Sequence, residues 1–79
     1  MAKVIKKKIF EYTTVLEQDK KDGGFVATVP ALPGCISEGN TFEEAVANIT
    51  EAAELYLETI DDDIPSEERV ILAPIRVTA

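Results

Sequence analysis

Apolar and polar positions alternate in two stretches near the start of the chain. In KIFEYTTVLE, residues 8–17, the side chains that share one face are Phe10, Tyr12, Thr14 and Leu16. In FVATV, residues 25–29, they are Phe25, Ala27 and Val29. This period, with many β-branched and aromatic residues, is typical of strands. Because Asp22-Gly23-Gly24 between them tolerates positive φ, the pattern predicts a β-hairpin.

Residues 41–60 follow a different period. Apolar side chains recur there at spacings of three and four: Phe42, Ala45, Val46, Ile49, Ala52, Ala53, Tyr56, Leu57 and Ile60. This spacing predicts a helix of about five turns with one apolar stripe. Thr41 is a good N-cap, and Glu44 three residues later completes a capping box. Pro65 blocks continuation beyond IDDDIP, so the helix ends near there.

Prolines interrupt the chain between the hairpin and the helix. Pro30 and Pro33 have no amide donor, so PALPG must be a bend or an edge segment. CISE, residues 35–38, can form a short third strand that Gly39 breaks. The final stretch ERVILAPIRVT, residues 68–78, is apolar and β-branched enough for one more strand, with Pro74 indicating an edge or a bulge.

The element order is therefore β-β-β-α-β, an α+β class. One helix with one apolar stripe covers one face of a sheet, which gives a two-layer sandwich with a mostly antiparallel sheet. The other face has no helix to cover it and carries some of the apolar set Ile9, Val15, Val26 and Thr28. An uncovered apolar face favours dimerisation.

The small size of the chain also favours association with a second copy. Residues 1–79 are expected to form a single domain, and so small a core rarely stabilises a fold by more than about 3–5 kcal/mol. The sequence has one cysteine and no histidine, which excludes an internal disulfide and argues against zinc. We therefore expect a homo-oligomer, either a dimer or a tetramer. Without a signal peptide or a membrane-spanning run, the expected location is the cytoplasm.

The distribution of charged residues indicates which class of molecule the chain could bind. The net charge of −7 argues against direct nucleic-acid binding. No Lys or Arg occurs from Thr41 to Ile60, and the acidic residues on and after this helix are Glu43, Glu51, Glu54, Glu58, Asp61, Asp62 and Asp63. Like charges one turn apart, and acids at a helix C-terminus, are unfavourable. A basic protein partner would make them favourable, while simple solubility is the alternative interpretation.

Catalytic chemistry has little support. Cys35 is the only thiol, the chain offers no histidine as a base, and the nearby Glu38 and Glu43 would raise the thiol pKa. A packing cysteine is the better interpretation. The carboxylate pairs fall on exposed helix and loop positions rather than in a cleft. We predict no catalytic, metal-binding or cofactor-binding residues, and hence no enzyme.

The ordered combination of these motifs is similar to one family. The segment DGGFVATVPALPGCISEGNTFEEAVANITEAAELYLE resembles the HicB-like antitoxins, with a match from about Phe10 to Glu58. The residues that carry the resemblance as a structural motif are Gly23, Gly24, Pro30, Pro33, Gly34, Cys35, Gly39, Thr41 and Glu44. Asn48, Glu51 and Ala52 continue it along the helix.

This resemblance implies a truncated ribonuclease H-like fold without catalytic residues. It also implies a partner, a small basic HicA-type toxin that cleaves messenger RNA and is neutralised when its surface is masked. Many family members carry a C-terminal DNA-binding domain. Because this sequence stops at Ala79, soon after the last predicted strand, we expect the short form. The alternative function is a stand-alone oligomeric scaffold or small-ligand module without a toxin.

Overall fold

The computed structural model describes residues 9–60 and 70–79. Within these residues the elements are β1 (Val15–Gln18), β2 (Phe25–Thr28), β3 (Ile36–Gly39) and α1 (Phe42–Thr59). The strands form one antiparallel sheet in the order β1-β2-β3. α1 packs on one face of this sheet, against β3 and β2. The α+β arrangement that the sequence predicts is confirmed.

The predicted hairpin forms, with a β1 that is shorter than the 8–17 pattern indicated. Gln18 lies opposite Phe25 and Val15 opposite Thr28. The next amide of β2, that of Val29, donates to the Cys35 carbonyl on the β3 side, at 3.1 Å. Amides in a middle strand point alternately to its two neighbours, so Pro30 falls on the β1 side. Because Pro30 has no N–H to donate, the ladder between β1 and β2 stops at Val15.

The turn of the hairpin is closed by Asp19. Its N–H donates to the Gly24 carbonyl at 2.7 Å, and its own carbonyl accepts from the Gly23 N–H at 2.9 Å. Gly23 has a φ of 77°, in the left-handed region that glycine adopts without steric cost. The Asp22 carboxylate accepts from the Gly24 N–H at 2.8 Å. The backbone N–H and C=O groups of this turn are thus hydrogen-bonded by residues of the turn itself.

The corner between β2 and β3 is built from two successive backbone turns. The Leu32 N–H donates to the Val29 carbonyl at 3.0 Å, and the Cys35 N–H donates to the Leu32 carbonyl at 2.9 Å. Gly34 reverses the chain with a φ of 82°. β3 then runs to Gly39, which pairs with Phe25. The sequence predicts that the third strand ends at residue 38 because Gly39 breaks it. In the structure Gly39 is instead the last residue of β3.

α1 begins where the sequence predicts. The Thr41 hydroxyl accepts from the Glu44 N–H at 3.0 Å, which caps the helix. The Glu44 carboxylate accepts from the Asn40 N–H at 3.3 Å, one residue before the position that a capping box would use. The helix ends at Thr59 with Ile60 as its C-cap. The predicted stop at Pro65 lies outside the described residues.

The core lies between α1 and the sheet. Its buried members are Ala27, Val29, Leu32, Cys35, Ala45 and Ile49. Partly buried residues packed against it are Tyr12, Leu16, Phe25, Ala52, Ala53, Tyr56 and Leu57. Members of the two predicted strand faces and of the helical stripe therefore supply the core, while Phe10, Phe42 and Val46 are exposed. Most of the buried side chains are small, and Leu32 is the largest that is fully buried.

The structure differs from the prediction at the last strand. Residues 68 and 69 lie outside the described residues, and residues 70–79 belong to no strand. The large apolar side chains there are exposed: Ile71, Leu72, Ile75 and Val77. An extended segment becomes a strand only by pairing with another, and this segment has no such partner within the described chain. On the sheet face away from α1, Val26 and Ile36 are also exposed.

Candidate protein-binding surface

One side of α1 is acidic and exposed. We call Glu43, Glu51, Glu54 and Glu58 the acidic surface; all four are exposed. At 3.6 residues per turn they fall within an arc of about 80° around the helix axis. The buried Ala45 and Ile49 lie on the other side and pack in the core. The sequence spacing that buries one side of the helix thus directs these carboxylates to solvent.

The acidic surface has an apolar residue at its edge. Leu55 is 56% exposed. It follows Glu51 by four residues and precedes Glu58 by three, and residues at these spacings are neighbours on a helix. The helix has acids in its first turn and no basic residue in its last turn. The surface therefore combines negative charge with one exposed leucine, and α1 contains no positive side chain to offset it.

Asp61, Asp62 and Asp63, the other predicted partner-binding residues, lie outside the described residues. The described part of the acidic surface depends on α1 alone.

Three contacts hold α1 against the sheet. The Asn48 side-chain amide donates to the Glu38 carbonyl at 2.8 Å and ties the middle of the helix to β3. The Phe42 and Phe25 rings meet edge to face, with centroids 6.1 Å apart. Gly39 lies so close to the helix that an added Cβ would be 2.4 Å from the Ala45 nitrogen. The acidic surface is therefore carried by a helix with a defined position.

Cys35 has the environment of a core residue. It is 4% exposed, and it packs in the cluster that includes Leu32 and Ile49. Burial raises the pKa of the Cys35 thiol, because the thiolate would lose its hydration. This is the opposite of the shift that a nucleophilic cysteine needs.

The remaining motif residues are placed in turns, caps and contacts. Gly23 and Gly34 have positive φ, Pro30 and Pro33 are exposed on the corner, and Gly24 lies beside the Asp22 carboxylate and the Gly39 carbonyl. Thr41 caps the helix. The sequence analysis did not predict that Leu32 is buried. The available signal was a large apolar residue between Pro30 and Pro33, in a segment that is otherwise a bend. Nor did the sequence analysis predict the Asn48 contact, for which local sequence gives no signal.

Two cavities lie beside α1. The larger, of about 380 Å³, is lined by carboxylates and backbone near the hairpin turn, including Asp19, Asp22, Glu38 and Glu44. Among residues 9–60 and 70–79, no three potential ligand side chains converge as a metal site would need. The smaller is an apolar groove of about 170 Å³ between α1 and the segment that precedes β1. In the same residues, no helix is long and apolar enough to cross a membrane.

The described chain is thus a small sheet covered by one helix, with an acidic outer side and a buried thiol. Comparison with known proteins identifies the group. The family model described as the HicB-like antitoxin of bacterial toxin–antitoxin systems matches residues 12–76. The chain belongs to this family.

Several curated relatives are similar over most of their length. A UPF0150 protein of Synechocystis is 46% identical over 71 residues, which are 86% of this chain and 89% of that protein. One from Helicobacter pylori is 42% identical over 62 residues, which are 75% of this chain and 86% of that protein. One from Thermoplasma acidophilum is 46% identical over 50 residues, 63% of this chain and 71% of that protein. No solved structure gives a significant match.

Proposed function

We propose that this chain neutralises a small basic HicA-type toxin, which cleaves messenger RNA, by covering its surface. The observation that carries the proposal is the acidic surface of α1, exposed on a helix without a positive side chain. Family membership supports an antitoxin role in general. The acidic surface indicates how a basic toxin would be held. In this proposal residues 1–79 act as one domain in the cytoplasm, with no catalytic step of their own.

The acidic surface is electrostatically unfavourable in the isolated chain. Glu54 and Glu58 are four residues apart, and Glu51 and Glu54 are three apart. Each like-charge pair at these spacings destabilises a helix by about 0.2–0.5 kcal/mol. A cationic partner would convert this repulsion into attraction and would accelerate the encounter, most strongly at low salt. The proposal therefore accounts for a local feature that the fold itself does not need.

The surface is also suited to binding because it is formed in advance. The Thr41 cap, the Asn48 bond to β3 and the burial of Ile49 hold α1 in place. Binding to a positioned helix costs little ordering entropy. Exposed Leu55 offers an apolar contact at the rim of the charged area, and apolar anchors surrounded by polar groups carry much of the affinity of protein interfaces.

The test compares two triple variants with the same change in charge. The first is Glu51→Gln, Glu54→Gln and Glu58→Gln on α1; the control replaces exposed carboxylates elsewhere, Glu11→Gln, Glu17→Gln and Glu38→Gln. Affinity for the HicA-type toxin that the proposal expects from an adjacent reading frame is measured by calorimetry at low and physiological salt. We expect the helix variant to lose at least about tenfold in affinity and much of its salt dependence, and the control to lose under about threefold.

A second readout is biological. Co-expression of wild-type chain should relieve the growth arrest caused by the basic protein, and the helix triple variant should relieve it less than the control variant does. Equal losses in both variants would show that overall charge, rather than α1, governs binding. Arrest that the wild-type chain leaves unchanged would contradict the toxin proposal and favour a stand-alone scaffold or small-ligand module.

A further inference from the structure

β3 forms one edge of the sheet, and the register shows which of its backbone groups point outward. In the described part of the chain, β3 pairs on one side only, with β2. The Val29 N–H donates to the Cys35 carbonyl across this pair. Successive residues of an antiparallel strand direct their backbone groups to opposite sides, so those of Glu38 and of Asn40, which follows β3, point away from β2. Outward groups of this kind are a template on which another strand can add.

Two side chains of α1 reach these outward groups. The Asn48 side-chain amide donates to the Glu38 carbonyl at 2.8 Å, and the Glu44 carboxylate accepts from the Asn40 N–H at 3.3 Å. Glu44 and Asn48 are four residues apart, so they are neighbours on one side of the helix. α1 therefore occupies both an acceptor and a donor of the β3 edge.

The two bonds match those that a neighbouring strand would make. In a parallel pair, one residue donates its N–H to the carbonyl before the residue opposite it, and its own carbonyl accepts from the N–H after that residue. Opposite Gly39, those two groups are the Glu38 carbonyl and the Asn40 N–H. A capping box would direct Glu44 to the Thr41 N–H instead. The sheet edge gives a reason why Glu44 bonds to Asn40.

We propose that Glu44 and Asn48 close the edge of β3 to the addition of a further strand. A strand that pairs there must displace both side chains from the backbone. Each hydrogen bond lost opposes the pairing about fivefold, so the two together oppose it about 25-fold. The closure acts equally against a second copy and against a strand of another protein, and it does not depend on the toxin.

The neighbouring side chains show why such a closure is needed. On the sheet face away from α1, Ile36 of β3 is 60% exposed and Val26 of β2 is 41% exposed. An edge strand with exposed apolar side chains is prone to pair with strands of other chains and to aggregate. Occupying the outward backbone groups opposes this pairing while the acidic surface of α1 stays open to solvent.

The experiment measures pairing between the β3 edges of two copies. Ile36→Cys places an exposed thiol on β3 in every protein, and a short bismaleimide joins copies whose edges pair; the native Cys35 is buried. The test variant, Glu44→Ala with Asn48→Ala, loses both bonds. The matched control, Glu44→Gln with Thr50→Ala, has the same net charge and the same number of substitutions, but it keeps an acceptor at residue 44 and the donor at residue 48.

The proposal predicts a difference between these two variants. In dilute solution the cross-linked fraction is proportional to the association constant. We expect about 25-fold more cross-linked dimer from the test variant than from the otherwise wild-type chain, and a control within about threefold of it. Equal yields from the test and control variants, or an otherwise wild-type chain that cross-links as readily as the test variant, would overturn the proposal.

Two single variants separate opening of the edge from loss of stability. Thr41→Ala weakens the start of α1 without removing either bond, and its yield should stay within about threefold of wild type. A yield equal to that of the test variant would overturn the proposal. Asn48→Ala keeps the experiment decisive if the test variant does not fold, because alanine is a better helix former than asparagine. It should raise the yield about fivefold, and an unchanged yield would overturn the proposal.

Discussion

Replacing Gly39 by alanine tests how closely the helix approaches the sheet. A Cβ built at this position lies 2.4 Å from the Ala45 nitrogen, 2.8 Å from the Glu44 carbonyl carbon and 2.9 Å from the Ala45 Cα. All three atoms are backbone at the start of α1, so no side chain can rotate to make room. Gly39 does not have positive φ, and backbone strain therefore does not contribute to the expected effect.

The size of the effect follows from the movement required. Ordinary contact begins at 3.4 Å, so the 2.4 Å approach means that α1 must retreat by about 1 Å. Overpacking of this kind costs about 1–3 kcal/mol. The retreat would also stretch the 2.8 Å bond from Asn48 to the Glu38 carbonyl, which is worth about 1 kcal/mol. Alanine recovers about 0.4–1 kcal/mol by restricting the unfolded chain. The net loss is about 2 kcal/mol, within a range of about 1–3.5 kcal/mol.

Urea and thermal unfolding, followed by circular dichroism at 222 nm, measure this loss. For a domain of this size a loss of about 2 kcal/mol corresponds to a fall in Tm of about 8–16 °C. Both proteins are compared at one protomer concentration, because association would make Tm depend on concentration. The matched control is Gly24→Ala, whose Cβ would first meet the Asp22 carboxylate oxygen at 3.2 Å and should cost under about 1 kcal/mol. A Gly39→Ala variant within about 0.5 kcal/mol of wild type would refute the close approach.

Two further predictions concern the helix cap and the buried thiol. Thr41→Ala removes the hydroxyl that accepts from the Glu44 N–H and should lower the free energy of unfolding by about 1 kcal/mol, while Thr41→Ser should lose much less. Urea titrations that fail to separate the two variants would contradict the cap. Cys35→Ala should cost about 1–2 kcal/mol at pH 7, measured under reducing conditions. Because burial raises the pKa of the Cys35 thiol in the folded chain, its stabilising effect is complete below the unfolded thiol pKa and lost as pH rises through the folded value. Wild type should therefore lose more stability than Cys35→Ala as pH rises above the unfolded thiol pKa of about 8.5, and equal losses would contradict the burial.

The sequence predicts this fold where one physical signal dominates. The stripe from Phe42 to Ile60 has a period that only a helix can bury on one side, and Thr41 supplies an N-cap at its start. Gly23 and Gly34 occupy the two positions with positive φ among the described residues. In each case the information lies within a few neighbouring residues. The acidic surface is predictable for the same reason, because the buried stripe determines which residues of α1 face solvent.

The features that the sequence did not predict depend on contacts between separate elements of the fold. β1 stops at Val15 because Pro30, two residues beyond the end of β2, has no N–H to donate across the ladder. Gly39 is required by the Ala45 backbone rather than by its own conformation. The last strand depends on a sheet edge that the described chain does not provide to it. A period-two pattern indicates that a segment can be a strand and contains no information about which partner it pairs with.

α1 presents three sides to three different neighbours. Ala45 and Ile49 pack against the sheet, Ala53 and Leu57 line the apolar groove, and the acidic surface faces solvent. The groove lining and the acidic surface share only Glu54, so a basic partner that covers the acidic surface need not fill the groove.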